Sequence, residues 1–365
     1  MHSELASNDS ITYALAAALR ELPGVVAEVA RLQPVVQGLR LDGLIEARFC
    51  DQRIDLLIEE KSDVFPRDAR EQIMRWRRAE PAEFGKTPHY FVVAADVISP
   101  GARDLLIADG IGYFDRSGRL HLPFPGAYAL VDLVSVSKRS PPRELDIFTE
   151  ARKPVLHAML LDPKRPHSVQ ALAQRSGSSP ATVSKLMSFL ERDEWIVASG
   201  SGPSKTRKLS KPGTVLNTWV HAEQAAVADR PVRRFFVAAG KAPQLPGQIL
   251  DKIGMEYLAT VPAYNFTAEA AAEHYAPFLT GWNVATMRAP RHITDRLLST
   301  KSLGVKEVRE GFNLLVIDDV SGTRFTEFRN SIPLASPVQT YIDLMCMSGR
   351  APDAAKHLRE TILGF

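Results

Sequence analysis

Two helix-start signals separated by a glycine constrain this chain more than any other stretch of its sequence. Ser168 stands before one short apolar helical pattern, and Ser179 stands before a second one that opens at Pro180. Serine is a preferred N-cap, and proline at the first helical position costs no hydrogen bond there. Between the two patterns lies Gly177, which can adopt the positive φ that ends a helix in a tight turn. The sequence therefore predicts two short helices joined by a tight turn.

The second of these helices has one apolar side and one polar side. Its apolar residues follow the spacing i, i+3, i+4, i+7 of a single buried stripe, namely Val183, Leu186, Met187 and Leu190. On the other side stand Thr182, Lys185 and Ser188, whose groups suit phosphates and the edges of bases. After Trp195, two short strands around a Gly/Ser/Pro turn predict a hairpin that ends near Lys211. A helix pair followed by such a hairpin is typical of a winged helix-turn-helix that binds duplex DNA.

The local charge supports DNA binding. Between positions 152 and 211 there are eleven Lys or Arg and four acidic residues, an excess of seven positive charges, whereas the whole chain carries only +3. A basic patch confined to a helix pair and hairpin is the electrostatic footprint of a nucleic-acid site. The alternatives are a small helical domain with a solvated basic face and a winged helix that binds protein. The predicted DNA contacts are Ser178, Ser179, Thr182, Lys185, Lys205, Arg207, Lys208 and Lys211.

Length and composition set limits on the rest. At 365 residues the chain has room for two or three domains, since single cores stop growing beyond roughly 250–300 residues. No apolar run is long enough to cross a membrane, and the start of the sequence lacks the features of a secretory signal. Cys50 and Cys346 give no zinc or redox spacing and fit a reducing compartment as packing residues. We therefore expect a cytoplasmic protein.

The amino-terminal region, residues 1–145, shows an alternation of helical and strand patterns. We expect helices at 11–20, 25–32, 65–78 and 100–109, a hairpin of 43–49 with 53–61, a buried strand at 89–95, and a strand, turn and strand over 111–122. This order predicts an α/β sandwich.

One strand of this region carries the residues that could support catalysis. Positions 55, 57, 59 and 61 share a face, because side chains alternate across a strand. Asp55, Glu59 and Lys61 therefore lie on one side. Two carboxylates and an ammonium there could hold Mg²⁺ and polarise an attacking water, as phosphodiester hydrolysis requires.

The region resembles the PD-(D/E)XK restriction-endonuclease-like superfamily. The match consists of Glu59-Glu60-Lys61 as the E-x-K element, the preceding Asp55, and Gln72 on the following helix. That superfamily usually takes its first acid from the neighbouring strand, whereas Asp55 lies only four residues before Glu59, about 13 Å along an extended strand. Glu46 or Asp51 would then have to complete the site. The alternatives are a strand end with solvated charges, or an inactive nuclease-like fold kept for dimerisation or DNA contact, and we expect the inactive fold.

The carboxy-terminal region, residues 213–365, mixes strands with capped helices. We expect strands at 234–239 and 312–317, a helix over 267–279 with Thr267 as its cap, a helix that opens at Ser336-Pro337, and a last helix from Pro352. No nucleophile arrangement or phosphate-binding loop is present, and a strand end running into a turn explains Asp318-Asp319 better than a metal site does.

This region, together with the preceding helices, resembles AbiEi-type antitoxins and regulators of type IV toxin–antitoxin systems. The resemblance covers residues 146–365 and lies in segments 266–275, 336–344 and 349–355. It implies a winged helix that binds operator DNA, often repressing its own operon, and a carboxy-terminal domain that counters a nucleotidyltransferase-like toxin.

The sequence thus predicts an α+β, multidomain protein. Its parts are a restriction-endonuclease-like domain over 1–145, a winged helix-turn-helix over 146–212 and an AbiEi-like α/β domain over 213–365. We expect a sequence-specific transcriptional regulator that binds double-stranded DNA as a homodimer, without cofactor, with such a toxin as partner and with no membrane association. One alternative is a DNA nuclease with Asp55, Glu59 and Lys61 as catalytic residues and Mg²⁺ as cofactor. Another is a protein-neutralising antitoxin whose DNA binding is secondary.

Overall fold

Two seven-stranded sheets organise the part of the chain that the computed structural model describes, which is residues 10–36, 39–49, 52–78, 87–124, 127–132, 147–238, 240–253, 264–318 and 323–365. The chain divides into two compact units, Met1–Asp146 with Arg192–Glu194, and Ile147–Glu191 with Trp195–Phe365. The predicted mixed α/β, multidomain class is confirmed. None of the helices in these described ranges combines the length and the apolar character needed to cross a membrane.

The first unit is a sheet with helices on both faces. Its elements are α1 Ile11–Arg20, β1 Val25–Leu32, β2 Val35–Val36, β3 Leu39–Arg40, β4 Gly43–Phe49, β5 Gln52–Val64, α2 Pro66–Arg78, β6 His89–Ile98, α3 Pro100–Ala108, β7 Gly112–Asp115, β8 Arg119–Phe124 and β9 Ala127–Asp132. The strand order is β1-β4-β5-β6-β7-β8-β9, with β5, β6 and β7 parallel and the other pairs antiparallel. One face packs against α1 around Leu15 and Leu56, and the other packs against α2 and α3 around Trp76 and Val93.

The segment Val25–Leu32 is a strand, so the predicted helix there is wrong. It pairs antiparallel with β4, with Ala27 opposite Ala47. Its apolar residues fit neither a helical nor an alternating pattern cleanly, and valine at positions 25, 26 and 29 favours a pleated surface. The neighbouring strand therefore decides the conformation of this segment, and that information lies outside the segment itself.

Glu60, on β5, caps the start of α1. Its carboxylate accepts hydrogen bonds from the Thr12 backbone N–H at 2.9 Å and from the Thr12 hydroxyl at 2.6 Å, and the Ser10 hydroxyl also donates to it. Burial alone would raise the pKa of Glu60, but the bonds from Ser10 and Thr12 outweigh it and hold the pKa below its ordinary value. This cap attaches the helix to β5, an inner strand of the sheet.

The second unit begins with three helices and a hairpin and continues into the second sheet. Its elements are α4 Lys153–Leu160, α5 Val169–Ser176, α6 Pro180–Arg192, β10 Ile196–Ser199, β11 Thr206–Leu209, α7 Pro212–Ala225, β12 Val232–Val237, α8 Leu245–Ile253, β13 Asn265–Thr267, α9 Ala268–Tyr275, β14 Ala285–Arg288, α10 Arg291–Ser299, β15 Val305–Glu307, β16 Leu314–Ile317, β17 Glu327–Arg329, β18 Ile332–Leu334, α11 Pro337–Met345 and α12 Ala351–Leu358. The sheet order is β15-β12-β16-β14-β13-β18-β17. Helix α11 packs against α4, α7, α9 and α12 and so forms the centre of this unit.

The serine cap predicted at Ser336 is confirmed, because its hydroxyl accepts from the Gln339 backbone N–H at 3.3 Å. The side-chain cap predicted at Thr267 is wrong. Thr267 occupies the N-cap position of α9, but its hydroxyl donates to the buried carboxylate of Asp343 at 2.7 Å. The helix also ends at Tyr275, four residues before the predicted end.

We predict that Glu60→Gln lowers the free energy of unfolding of the first unit by about 1–3 kcal/mol at neutral pH, because hydrogen bonds to a charged acceptor are lost. A carboxylate whose pKa is lowered on folding contributes fully above its unfolded pKa, and the contribution disappears as pH falls through the folded pKa. Urea denaturation should therefore show a difference between the two proteins that shrinks below the ordinary glutamate pKa of 4.5.

The matched control is Asp63→Asn, which removes an exposed carboxylate from the same strand. This variant should differ from the wild type by less than about 0.5 kcal/mol. A deficit in Glu60→Gln that stays constant from neutral to acid pH would contradict the role of the charge.

Candidate functional site

The predicted turn between α5 and α6 has the expected local chemistry. The Ser168 hydroxyl accepts from the Ala171 backbone N–H at 3.1 Å at the start of α5, and Gly177 ends that helix with φ at 66° in the left-handed region. The Ser179 hydroxyl accepts from the Thr182 backbone N–H at 3.1 Å at the start of α6. Local hydrogen bonds therefore fix both ends of the turn.

Helix α6 is buried on one side and exposed on the other. The predicted apolar stripe is buried together with Phe189, and its members are Val183, Leu186, Met187 and Leu190. Ser184, Lys185 and Ser188 are exposed on the opposite side. The helix thus presents one cation between two hydroxyl groups to solvent.

The hairpin of β10 and β11 follows the alternation of a two-stranded ribbon. Ile196 lies opposite Leu209 and both are buried, whereas Val197 lies opposite Lys208 and both are exposed. A backbone bridge between His167 and Arg207 adds a third segment to the ribbon. The outer face of the hairpin is therefore formed by Val197 and Lys208.

The predicted basic contacts on α6 and the hairpin fall into two groups. Lys205 Nζ lies 2.9 Å from Glu191 Oε1, and Arg207 Nε lies 3.0 Å from Glu191 Oε2, with the Arg207 side chain only 10% exposed. The hydrogen bond from Lys205 is the main reason that the pKa of Glu191 is lowered, and Arg207 adds to it. These two cations therefore attach the hairpin to α6, and Glu191 offsets one of their two positive charges.

The second group is free of such compensation. Lys185, Lys208 and Lys211 are exposed, and none of their side-chain ammonium groups forms a hydrogen bond or an ion pair with another described residue. The hydroxyl groups of Ser178 and Thr182 already have protein partners, because the Ser178 hydroxyl donates to the Ala151 carbonyl at 3.1 Å and the Thr182 hydroxyl bonds to the Ser179 hydroxyl at 2.9 Å. The uncompensated charge of the predicted contacts is therefore concentrated in three lysines.

Arg324 is a residue of this surface that the sequence does not reveal. A Cβ atom added at Gly177 would lie 2.5 Å from Arg324 Nη1, so the guanidinium lies directly against the turn. Arg324 is exposed and comes from the segment before β17. Arg324 lies 147 residues after Gly177 in the sequence, and no motif marks it.

Among the charged residues predicted on β5 of the first unit, Glu59 is the one with ion-pair partners on two sides. The side chain of Glu59 is 5% exposed, and its Oε1 accepts from Lys61 Nζ at 3.0 Å and from Arg75 Nη1 at 2.6 Å. Arg75, on α2, also donates to the Arg40 carbonyl at 2.6 Å. Two cations thus surround one buried carboxylate.

The other acids proposed for this cluster lie elsewhere. Asp55 lies four positions before Glu59 on β5, and Glu46 on β4 pairs with Asp55, so both acids lie four positions along the strand from Glu59. Glu46 forms an ion pair with exposed Arg53. Burial is the main reason that the pKa of Asp55 is raised, and Glu46 adds to it. Asp51 lies outside the described residues. Gln72 is buried on α2, as the predicted helix requires.

Asp42 is the acid that the fold places beside Glu59. The register of β4 and β5 ends where Gly43 pairs with Ile58, and Asp42 directly precedes Gly43, so Asp42 bonds to the two residues that flank Glu59. The Asp42 N–H donates to the Ile58 carbonyl at 3.0 Å, and Asp42 Oδ2 accepts from the Glu60 N–H at 2.8 Å. In the sequence, Asp42 is 17 residues before Glu59, so only the strand register reveals this pair.

The donor set around Glu59 does not fit a divalent cation as it stands. In the ranges of the chain that the structure describes, no group of three or more acidic, His or Cys side chains converges. Glu59 Oε1 already accepts from two cations, so Mg²⁺ would have to displace Arg75 or Lys61 before Glu59 and Asp42 could bind it. The arrangement as folded therefore stabilises Glu59 by ion pairing.

Comparison with known proteins adds no further constraint on either site. A scan against protein-family models finds no match to this chain, and a search of curated proteins finds no significant match.

Proposed function

We propose that residues 153–211 form a winged helix-turn-helix that binds duplex DNA sequence-specifically, and that the chain is a transcriptional regulator. The observation that carries this proposal is Lys185, which is exposed on α6 opposite the buried stripe, between Ser184 and Ser188. A helix that presents a cation and hydroxyl groups can hydrogen-bond base edges in the major groove, where guanine offers two acceptors to a lysine. In this proposal α6 is the recognition helix.

Charge distribution supports the same orientation. Residues 1–146 contain 18 Lys or Arg and 22 Asp or Glu, so this part of the chain is net acidic. The excess positive charge lies between positions 152 and 211. Since DNA is a dense polyanion, the chain would approach it through the helix pair and the hairpin, with Lys208 and Lys211 on phosphates.

We further propose that the chain acts as an autoregulating antitoxin on a two-fold-related operator. The support is the resemblance of segments 266–275, 336–344 and 349–355 to AbiEi-type antitoxins. A homodimer would double the few base pairs that one short helix can contact. Copurification with the product of an adjacent gene, a nucleotidyltransferase-like toxin in this proposal, tests the partner.

The second candidate function is a DNA nuclease of PD-(D/E)XK type. The specific observation in its favour is Asp42, which bonds to both sequence neighbours of Glu59, with Lys61 paired to Glu59 on the same strand. That arrangement has the two acids and the lysine that the superfamily requires. The ion pair from Arg75 to Glu59 is the observation against it.

We predict that Lys185→Ala weakens binding to a selected duplex by a factor of about 5–150 and relaxes its sequence preference, since one good base contact contributes about 1–3 kcal/mol of discrimination. Fluorescence anisotropy with the selected duplex and with a random duplex measures both affinities. Equal losses on the two duplexes would show that Lys185 contacts only phosphate.

We predict that replacing Lys208 and Lys211 with alanine flattens the slope of log K against log salt by about 0.9 for each lost phosphate contact on B-DNA. Glu191→Gln should act in the opposite direction, because it releases Lys205 and Arg207 from their carboxylate. Lys252→Ala, an exposed lysine of α8, is the matched control. The control should keep the wild-type slope, and if the lysine variant and Glu191→Gln keep it as well, the hairpin does not contact DNA.

We predict that the wild-type chain does not cleave supercoiled plasmid in Mg²⁺ or Mn²⁺, because protein cations already neutralise Glu59. Agarose electrophoresis of the plasmid measures cleavage. Two variants serve as controls, Glu59→Ala/Lys61→Ala and Asp42→Asn. Cleavage by the wild type that both variants lose would make the nuclease the first candidate.

A further inference from the structure

A cavity of about 740 Å³ opens in the second unit, at the end of β12. Its walls come from residues 236–238 and 240–244, from the turn 281–283 and from Asn313. The volume lies within the range of about 300–1,000 Å³ that is usual for small-molecule sites. The cavity lies beside the sheet of the second unit, and none of the proposed DNA contacts lines it.

The chemistry of the described lining is restricted. It contains two aromatic rings, Phe236 and Trp282, one cation, Lys241, three side-chain amides, and no carboxylate. Phe236 is 43% exposed, and Trp282 is half-buried. Neither ring stacks on another ring in the part of the chain that is described. Such a lining favours a ligand with a flat ring and a negative charge.

The cavity wall is fixed before any ligand arrives. Asn313 Oδ1 accepts from the Val237 N–H at 2.8 Å, and Asn313 Nδ2 donates to the Val237 carbonyl at 2.9 Å and to the Gly240 carbonyl at 3.1 Å. One amide thus joins the end of β12 to the loop that carries Lys241. A preformed wall lowers the ordering cost of binding.

A second cation stands at the edge of the same surface. Lys306 on β15 lies opposite Phe236 on β12, and it is exposed. Residues that lie directly opposite in an antiparallel pair have Cβ atoms about 4.5–5.5 Å apart. The Phe236 ring therefore has Lys306 at its side and lies on the wall that leads to Lys241.

We propose that this cavity binds a nucleotide unit, with the base against Phe236 and Trp282 and the phosphate at Lys241 and Lys306. Stacking of bases on aromatic side chains and pairing of phosphate with lysine are the two interactions that the lining supplies. Asn283, exposed at the rim, is placed to hydrogen-bond the base edge. The ligand is either a free nucleotide or one nucleotide of a single strand. This proposal does not depend on the DNA-binding proposal.

The test is titration of the full chain, followed by isothermal calorimetry and by tryptophan fluorescence. Trp76, Trp195 and Trp219 are at most 3% exposed, so quenching by a ligand reports mainly on Trp282. The probes are AMP and UMP, a ribose phosphate without a base, a nucleoside without a phosphate, and a short single-stranded oligonucleotide. A nucleotide or the oligonucleotide should bind more tightly than the ribose phosphate or the nucleoside. Tighter binding of the nucleotide indicates a free nucleotide as ligand, and tighter binding of the oligonucleotide indicates a single strand.

Phe236→Ser and Lys241→Gln should each raise the dissociation constant about tenfold, since each removes one of the two interactions. The controls are Phe328→Ser, an exposed phenylalanine of β17, and Lys252→Gln, an exposed lysine of α8. Both controls should bind as the wild type does, and thermal unfolding checks that all variants fold.

Three results would overturn the proposal. The first is that neither nucleotides nor the oligonucleotide bind. The second is that the ribose phosphate binds as tightly as AMP. The third is that Lys185→Ala, and not Phe236→Ser, abolishes oligonucleotide binding.

Discussion

The buried ion pair between Asp343 and Arg288 is the interaction on which the second unit depends. Asp343 is 0% exposed, and its two oxygens accept from Arg288 Nη2 at 2.6 Å and Nε at 2.8 Å, with a further bond from Thr267. Burial would raise the pKa of Asp343, but the charge and the hydrogen bonds of Arg288 outweigh it and keep the pKa low. A buried charge left without its partner costs several kcal/mol, so α11, β13 and β14 are constrained to keep this arrangement.

The same network reaches the helices that carry the candidate DNA surface. Arg230 Nη1 lies 3.5 Å from Asp343 and its Nη2 lies 2.8 Å from Glu223, which in turn lies 2.9 Å from Lys153 at the start of α4. His157 of α4 bonds to the Ser336 hydroxyl at 2.6 Å, and burial is the main reason that its pKa is lowered to about 3. His157 is therefore a neutral packing residue at physiological pH. Helix α4 is thus attached to the sheet core, and α5 packs on α4.

The features that local chemistry decides could be predicted from the sequence. Ser168, Gly177, Ser179 and Ser336 act within three or four residues of themselves, and each takes the predicted cap or turn position. The features that depend on strand register or packing could not. The strand Val25–Leu32 needs β4 as its partner, and its own residues carry no decisive periodicity.

In the candidate sites too, residues placed by local pattern could be predicted and residues placed by packing could not. The exposed position of Lys185 follows from helical periodicity, which the sequence contains. In contrast, Arg207 is engaged with Glu191 because of how the hairpin packs on α6. Asp42 bonds to the neighbours of Glu59, Ile58 and Glu60, because of how β4 enters the sheet beside β5, at a separation that no short motif covers. Arg324 reaches Gly177 across nearly 150 positions, through the packing of the second unit.

The most direct test of the DNA-binding account is hydrogen–deuterium exchange of the full chain, measured by mass spectrometry with and without an excess of duplex DNA. If the helix pair and hairpin bind DNA, exchange slows in peptides that cover residues 179–211 and does not change in residues 52–78. Protection confined to residues 52–78 would contradict the DNA-binding account and would move DNA recognition to the strand that carries Glu59.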